Sequence, residues 1–239
     1  MPAGLDGNSN PIRTPERDAV LDVVADQVCT HTQDRVLVGI DGRSGAGKST
    51  FGDELASTLR ERGRVVIRST TDSFHRPRNA RLNRGAASAE GYFLDSHQLD
   101  RIVDELLIPF RHGADEVLIA AFDEPTDTPL QEVIDVTQHA ILVHDGLFLH
   151  RPEFATMWDV SVYLDADERR DAEWLKFLLD DLPAGSTERA AELDRRLGAA
   201  RWPRYRQGWS SYVDDVAPLR RATVAVDNND LTHPRVLDA

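Results

Sequence analysis

Apolar residues fall along this chain in two rhythms. After Thr14 and Pro15, the residues Ala19, Val20, Val23, Val24 and Val28 recur at three-to-four spacing. That is the period of an amphipathic helix, with threonine as N-cap and proline at the first helical position. Val36-Leu37-Val38-Gly39-Ile40 then makes a short, nearly all-apolar run, as does a strand covered on both faces of a parallel sheet. Val65-Val66-Ile67, Ala140-Ile141-Leu142-Val143, Val160-Ser161-Val162-Tyr163-Leu164 and Thr223-Val224-Ala225-Val226 read as further strands of this kind, and helical patterns around 48–62, 97–110, 167–181 and 187–200 separate most of them. This alternation predicts an α/β fold with a parallel sheet covered by helices. Val117 to Ala121 and Glu132 to Val136 flank a stretch containing Pro and Asp. They predict a hairpin excursion whose second strand is half exposed, because apolar and polar residues alternate in it. The segment from Arg76 to Glu90, with Arg76, Arg78, Arg81 and Arg84 among Asn, Gly, Ala and Ser, reads as a loop beside a ligand or as a solvated connection.

Composition narrows the function classes. The 239 residues suit one α/β domain, and 41% apolar with 29% charged residues is enough for a large core. The division expected is an N-terminal tail and helix over 1–33 and a single catalytic-sized domain over 34–239. A formal charge of −13 repels phosphate backbones and anionic lipid, which argues against nucleic acid or a membrane as partner. Any phosphate must then be held locally. Cys29 is the sole cysteine, so no intrachain disulfide forms, and a cytoplasmic location is expected. Met1 to Pro15 lacks a basic patch followed by an apolar run and reads as a frayed tail. No apolar stretch reaches the ~20 residues that span a bilayer, and no heptad repeat indicates an oligomeric state.

The strongest chemical signal is Gly42-Arg43-Ser44-Gly45-Ala46-Gly47-Lys48-Ser49, followed by Thr50. It fits the phosphate-loop pattern G-x-x-x-x-G-K-[ST] between a strand and a helix. Glycines let main-chain N–H groups turn inward on an anion, and the helix N-terminus adds partial positive charge. Lys48 is expected at the β- and γ-phosphates and Ser49 on Mg²⁺. Asp72 lies at the carboxyl end of the next strand, where ligands of open α/β sheets collect. It is placed either to take a proton from an attacking hydroxyl or to cap the segment starting at Ser73. Asp145 ends the run Ala140 to Val143 and suits an acid that holds Mg²⁺, or else a turn residue before Gly146. Asp165-Ala166-Asp167-Glu168 reads as a helix capping box. Arg169, Arg170, Arg195, Arg196, Arg201, Arg204 and Arg206 fall where a lid could bring guanidinium groups onto transferring phosphate, although most are expected to face solvent. Trp202, Tyr205, Trp209, Tyr212 and Val216 form one helical stripe, read as core packing. The eight histidines show no close metal-ligand spacing. For His75, three residues after Asp72, substrate contact and plain exposure stand even.

In combination, Val38-Gly39-Ile40-Asp41-Gly42 through Thr50, Thr71-Asp72-Ser73-Phe74-His75-Arg76-Pro77-Arg78, Glu90-Gly91-Tyr92-Phe93-Leu94-Asp95, His144-Asp145-Gly146-Leu147-Phe148-Leu149 and Val226-Asp227-Asn228-Asn229-Asp230-Leu231 resemble the uridine kinase-like branch of P-loop kinases, which includes phosphoribulokinase and bacterial pantothenate kinase. The resemblance covers about residues 34 to 237. It implies a P-loop NTPase three-layer sandwich with a five-stranded parallel core, a hairpin excursion and a helical lid. It also implies transfer of the ATP γ-phosphoryl to a small-molecule hydroxyl with Mg²⁺. By the same resemblance Asp72 takes the place of the aspartate base, Asp145 replaces a glutamate with a shorter reach, and Asn228 falls near the nucleotide. His75, Arg76, Tyr92, Asp95, Phe122 and Asp127 fall in segments that contact the acceptor. Phe122 and Asp127 stand where a tyrosine and a histidine are expected, so the chain departs from the nucleoside pocket there. Arg169 and Arg170 come early in the lid helix relative to the family's arginine cluster.

Two functions follow from these residues. One is an ATP-dependent kinase acting on a small hydroxyl compound, nucleoside-like or related. The other is a nucleotide-binding regulatory ATPase or switch acting on a macromolecular partner, which would release ADP without any small acceptor.

Overall fold

The computed structural model describes residues 14–168, 186–188, 191 and 202–238. Five parallel strands form its centre: β1 (Arg35–Gly42), β2 (Val66–Thr70), β5 (Ala140–Gly146), β6 (Val160–Asp165) and β7 (Val224–Asp227). The two-residue β8 (Arg235–Val236) adds an antiparallel edge, in the order β2-β5-β1-β6-β7-β8. The expected five-stranded parallel core is therefore present, and β8 is an addition too short for any periodicity to show. β1 and β5 are buried along their whole length, which is why they read as unbroken apolar runs. In register, Gly39 lies beside His144 of β5 and Ser161 of β6, and Ser69 of β2 lies beside His144 on its other side.

Helices α1 (Pro15–Thr30) and α2 (Lys48–Glu61) cover one face. Thr14 caps α1 by accepting from the Arg17 N–H. Val20, Leu21, Val24, Ala25 and Val28 pack in one cluster with Val36, Val38, Phe51 and Leu55. Arg17, fully buried, donates to Glu54 at 2.6 Å and ties α1 to α2. α1 is thus part of the same core as the sheet it precedes.

On the other face a single turn, α3 (Arg78–Arg81), leads to α4 (Ala89–Asp95) and then to α5, which runs over 99–111. The expected helix at 97–110 is present but contains a π-helical stretch, Ile102–Leu107. Pro109 follows it; proline has no N–H to donate back one turn and its ring crowds the carbonyl there, so the turn widens. The hairpin is β3 (Glu116–Asp123) with β4 (Thr128–Asp135). β4 is exposed along nearly all its length, Leu130 and Val133 included, so its alternation does not mark a buried face as expected. After β6 come α6 (Trp202–Val216) and α7 (Pro218–Arg221). On α6, Tyr212 and Val216 are buried with Tyr92 and Phe148, and Tyr205 and Trp209 pack against them, as the aromatic stripe predicts. The side chain of Trp202 lies outside the described residues.

The tail over 1–13, most of the helical patterns expected over 167–181 and 187–200, and Arg169, Arg170, Arg195, Arg196 and Arg201 also lie outside the described residues. Asp165 is the last residue of β6, and its carbonyl accepts from the Asn228 N–H at 2.8 Å; the helix it was expected to cap falls in that undescribed stretch.

Leu21 has no exposed surface, so Leu21→Ala should lower the free energy of unfolding by about 2–5 kcal/mol. Urea titration checks this; a loss below ~0.5 kcal/mol would mean that α1 is dispensable to the core.

Candidate functional site

The five parallel strands end on one edge of the sheet, and the central one, β1, opens into the phosphate loop. Gly45 and Gly47 adopt φ of 75° and 82°, a left-handed conformation that side-chain-bearing residues rarely take. A Cβ on Gly47 would also come within 3.2 Å of the Asn228 amide. The loop is held from behind at two points. The buried Asp41 carboxylate accepts from the Gly42 N–H at 2.8 Å. Asn228, also fully buried, donates to the Ala46 carbonyl at 2.6 Å and accepts from Arg17. Both ends of the Asn228 amide are therefore engaged, and it supports the loop from beneath. Lys48 reaches across the loop, its Nζ donating to the Arg43 carbonyl at 2.8 Å. Lys48, Ser49 and Thr50 form the first turn of α2, so helix amides and the positive end of the helix dipole face the loop.

Asp145 ends β5 beside this loop, its Oδ2 accepting from the Ser49 hydroxyl at 2.9 Å. A serine hydroxyl and a carboxylate oxygen so close are hard donors of the kind Mg²⁺ takes, with water and phosphate oxygens completing the shell. The donor set fits the metal that the fold implies. The other carboxylate oxygen, Oδ1, accepts from Arg68 of β2 at 2.7 Å. Burial works to lower the Arg68 pKa, but Asp145 and Asp53 outweigh it and raise it. Arg68 thereby fixes the Asp145 rotamer with one oxygen turned toward Ser49.

Asp72 lies in a 3₁₀ turn, Thr71–Phe74, directly after β2, and its side chain keeps 69% of its surface open. The cap role weighed for it is filled by Thr70, whose side chain accepts from the Asp72 N–H. His97 Nε2 lies 3.9 Å from the Asp72 carboxylate. His75 Nδ1 donates to the Asp72 carbonyl at 2.8 Å, and its ring lies tilted against that of His97 with centroids 4.5 Å apart. Ligand atoms of Asp72, His75 and His97 all fall within 4.8 Å of one another, a trio that histidine spacing in the chain does not reveal. Desolvation works to raise the Asp72 carboxyl, yet His97, His75 and Lys48 outweigh it and hold it below the ordinary carboxylate range. Burial, then His75, pushes His97 down to about 4, so at neutral pH it is an uncharged ring. Burial does the same to His144, with Arg68 next, to about 3. His144 meets the Thr71 hydroxyl at 3.0 Å under the same turn.

A polar pocket opens beyond His75, with Arg78, Arg81, Tyr92, Glu124 and Arg204 on its walls. Of the residues expected at an acceptor, His75 and Tyr92 reach it. Asp95 instead pairs with Arg84 at 2.8 Å. Asp127, at a left-handed turn residue of the hairpin, accepts from the Arg78 N–H at 2.8 Å and lies 3.6 Å from Arg81. Phe122 is buried in β3 and does not line the pocket, nor does Arg76. Residues that local pattern did not single out are Asp41, Arg68, His97 and Glu124. A charge inside the apolar run of β2 and an acid just before the loop glycine are the only local signs of the first two.

No family model matches the chain. A uridine kinase of Leuconostoc citreum is 27% identical over 173 residues, covering 72% of this chain and 80% of that protein. A uridine kinase of Lactobacillus helveticus is 25% identical over 192 residues, 77% of this chain and 86% of that one. The chain is thus similar to proteins of the uridine kinase-like branch of P-loop kinases. Its fold is also that of a possible uridine kinase from Bacillus stearothermophilus, with a TM-score of 0.68 at 22% identity over 87% of this chain and 97% of the other. D-glycerate 3-kinase of Cryptococcus neoformans shares the fold at a TM-score of 0.54, 12% identity and 82% of this chain against 90% of its own. These likenesses support a small-molecule kinase. No described helix is long and apolar enough to cross a membrane.

Because burial holds His144 neutral while an unfolded histidine titrates near 6.5, the unfolded chain binds more protons below that pH, and stability falls on acidification toward the native value. Unfolding free energy measured from pH ~7 to ~4.5 should decline by up to about 1.4 kcal/mol per pH unit from this group, and His144→Gln should flatten the slope. An identical slope in the variant would contradict the assignment.

Proposed function

We propose that this chain is an ATP-dependent phosphotransferase that moves the γ-phosphoryl group onto the hydroxyl of a small metabolite, with Asp72 as the base. The observation that carries the reading is the convergence of three groups at adjacent strand ends: the phosphate loop after β1, the Ser49–Asp145 oxygen pair between β1 and β5, and Asp72 after β2.

Main-chain amides of residues 42–49 and the α2 N-terminus would hold the β- and γ-phosphates. Lys48 would swing from the Arg43 carbonyl to the phosphate oxygens. Mg²⁺, bound through Ser49 and Asp145, would offset the charge that develops on the phosphate oxygens. Asp72, ionised and close enough to Lys48 to feel its charge, would accept the proton of the attacking hydroxyl. Because its pKa lies low, it acts through position and late proton transfer rather than strong basicity. Arg169 and Arg170 are proposed as lid residues; a cytoplasmic location and a unit spanning 34–239, with α1 packed on it, complete the reading.

The test is ADP release with Mg-ATP over a panel of hydroxyl metabolites. One compound should accelerate release, Lys48→Ala should remove most turnover, and Asp72→Asn should lower kcat about 100-fold or more while Mg-ATP still binds. Release that no small compound accelerates but a macromolecule does would favour the switch instead. Undiminished turnover in Asp72→Asn would remove the base.

A further inference from the structure

We propose that Asp72, His75 and His97 form a binding site for a transition-metal dication of the Zn²⁺ type, separate from the oxygen pair of Ser49 and Asp145, and that an ion seated there occupies the Asp72 carboxylate and silences it.

The three side chains come from two segments that the main chain holds together. Asp72 lies in the 3₁₀ turn after β2, and His75 directly follows that turn. His97 lies just before α5. Between the segments, the Arg76 N–H donates to the Ser96 carbonyl at 2.9 Å and the Gln98 N–H to the Phe74 carbonyl at 2.8 Å. The Gln98 side-chain amide also donates to the His75 carbonyl at 2.8 Å. His75 and His97 are thereby paired in a short antiparallel bridge, and their rings stand side by side before any ion arrives. Ligands fixed in this way bind without the ordering cost that mobile segments would incur.

The atoms presented suit such an ion. His97 is only 5% exposed, and its Nε2 is buried without a hydrogen-bond partner. The Asp72 carboxylate, 3.9 Å away, lies beyond hydrogen-bond reach of it. Two ligands of a tetrahedral Zn²⁺, each about 2.0–2.1 Å from the ion, stand roughly 3.3 Å apart, so a shift of about 0.6 Å by the exposed Asp72 side chain closes this pair on a metal. His75 donates through Nδ1 to the Asp72 carbonyl, which leaves Nε2 unprotonated and orients the ring through a backbone carbonyl, as metal-bound imidazoles are oriented. Burial keeps His97 uncharged at neutral pH, so no proton has to leave it when a metal binds. Ligand atoms of all three lie within 4.8 Å of one another, and among the described residues no other three histidine, cysteine or acidic side chains do so. Lys48 and Arg151 act on the trio with positive charge and oppose the ion. Imidazole nitrogens nevertheless select Zn²⁺ over Mg²⁺, whereas the oxygen pair of Ser49 and Asp145 suits Mg²⁺, so donor type sorts the two cations.

The binding site stands on this geometry alone; the silencing of Asp72 rests on the kinase reading. An ion that takes the Asp72 lone pair removes the group that would receive the hydroxyl proton, and turnover stops although Mg-ATP still binds.

The test titrates Zn²⁺ calorimetrically into the full chain, free of any polyhistidine tag, in excess Mg²⁺ and without nucleotide. One saturable site is expected. Its Kd should rise about 100-fold or more in His75→Ala and His97→Gln, and about tenfold or more in Asp72→Asn. Circular dichroism checks that each variant is folded; His75 and Asp72 are less buried than His97 and carry the test if His97→Gln unfolds. No saturable heat below about 0.1 mM Zn²⁺, or an affinity unchanged in His75→Ala and Asp72→Asn, overturns the site. Buffered free Zn²⁺ should also stop ADP release driven by an accepted hydroxyl compound and excess Mg-ATP, with the half-inhibiting concentration moving with Kd in His75→Ala. Full turnover with the site filled overturns the silencing of Asp72. A chain that binds Zn²⁺ through these residues yet phosphorylates no compound supports the site and defeats the kinase reading.

Discussion

A phosphate loop binds anions only if its amides already point inward, since turning peptide dipoles at the moment of binding would consume the energy they supply. In this protein that orientation is maintained by two buried polar side chains behind the loop. Asp41 takes the N–H of Gly42, and Asn228 takes the carbonyl of Ala46. Each is held in turn. Asp41 also accepts from the Phe148 N–H at 3.1 Å, from His150 at 2.8 Å and from the Tyr212 hydroxyl, and Asn228 is held by Arg17. A carboxylate with no solvent exposure is tolerated because four donors converge on it. The same four donors join the phosphate loop to the loop after β5 and to α6, so the nucleotide cradle and the aromatic cluster on α6 form one mechanical unit. Phe148 sits at that junction with φ of 66°. So bulky a residue is uncommon there, and it persists because its N–H and its buried ring are both fixed.

Charge is partitioned along the strand ends with little overlap. Arg68 takes one oxygen of Asp145 and leaves the other facing Ser49. Lys48, His75 and the uncharged ring of His97 surround Asp72, and Arg78, Arg81 and Arg204 line the space beyond. On the proposed kinase reading, nucleotide, metal, base and acceptor would occupy successive positions along this edge of the sheet.

How much of this a reader could take from the residues alone depends on the range of the interaction. The glycines and Lys48 of the phosphate loop stand at fixed spacing because the main chain requires it. Asp72 and Asp145 follow apolar runs, and in a parallel sheet the end of a run is the ligand edge. The five strands, α1 and α2 follow from periodicity for the same local reason. What pattern could not supply are contacts across the fold: Asp41 to Tyr212, Arg68 to Asp145, His97 beside Asp72, and Asp95 and Asp127 drawn to arginines. Periodicity reports which face is buried, not which partner arrives there. The π-helical stretch before Pro109 and the exposed β4 are failures of a different kind. In the first a missing N–H overrides a good helical pattern, and in the second alternation occurs on a hairpin with little to cover it.

The claim on which everything else rests is that a cradle of main-chain amides stands ready to receive the phosphates of ATP. Calorimetric titration of ATP into the folded protein, with and without Mg²⁺, tests it most directly. One saturable site, tightened by Mg²⁺ and weakened about tenfold by Asn228→Ala through the loosened loop, is the expected result. A folded wild-type sample that gives no heat with ATP and Mg²⁺ would contradict it.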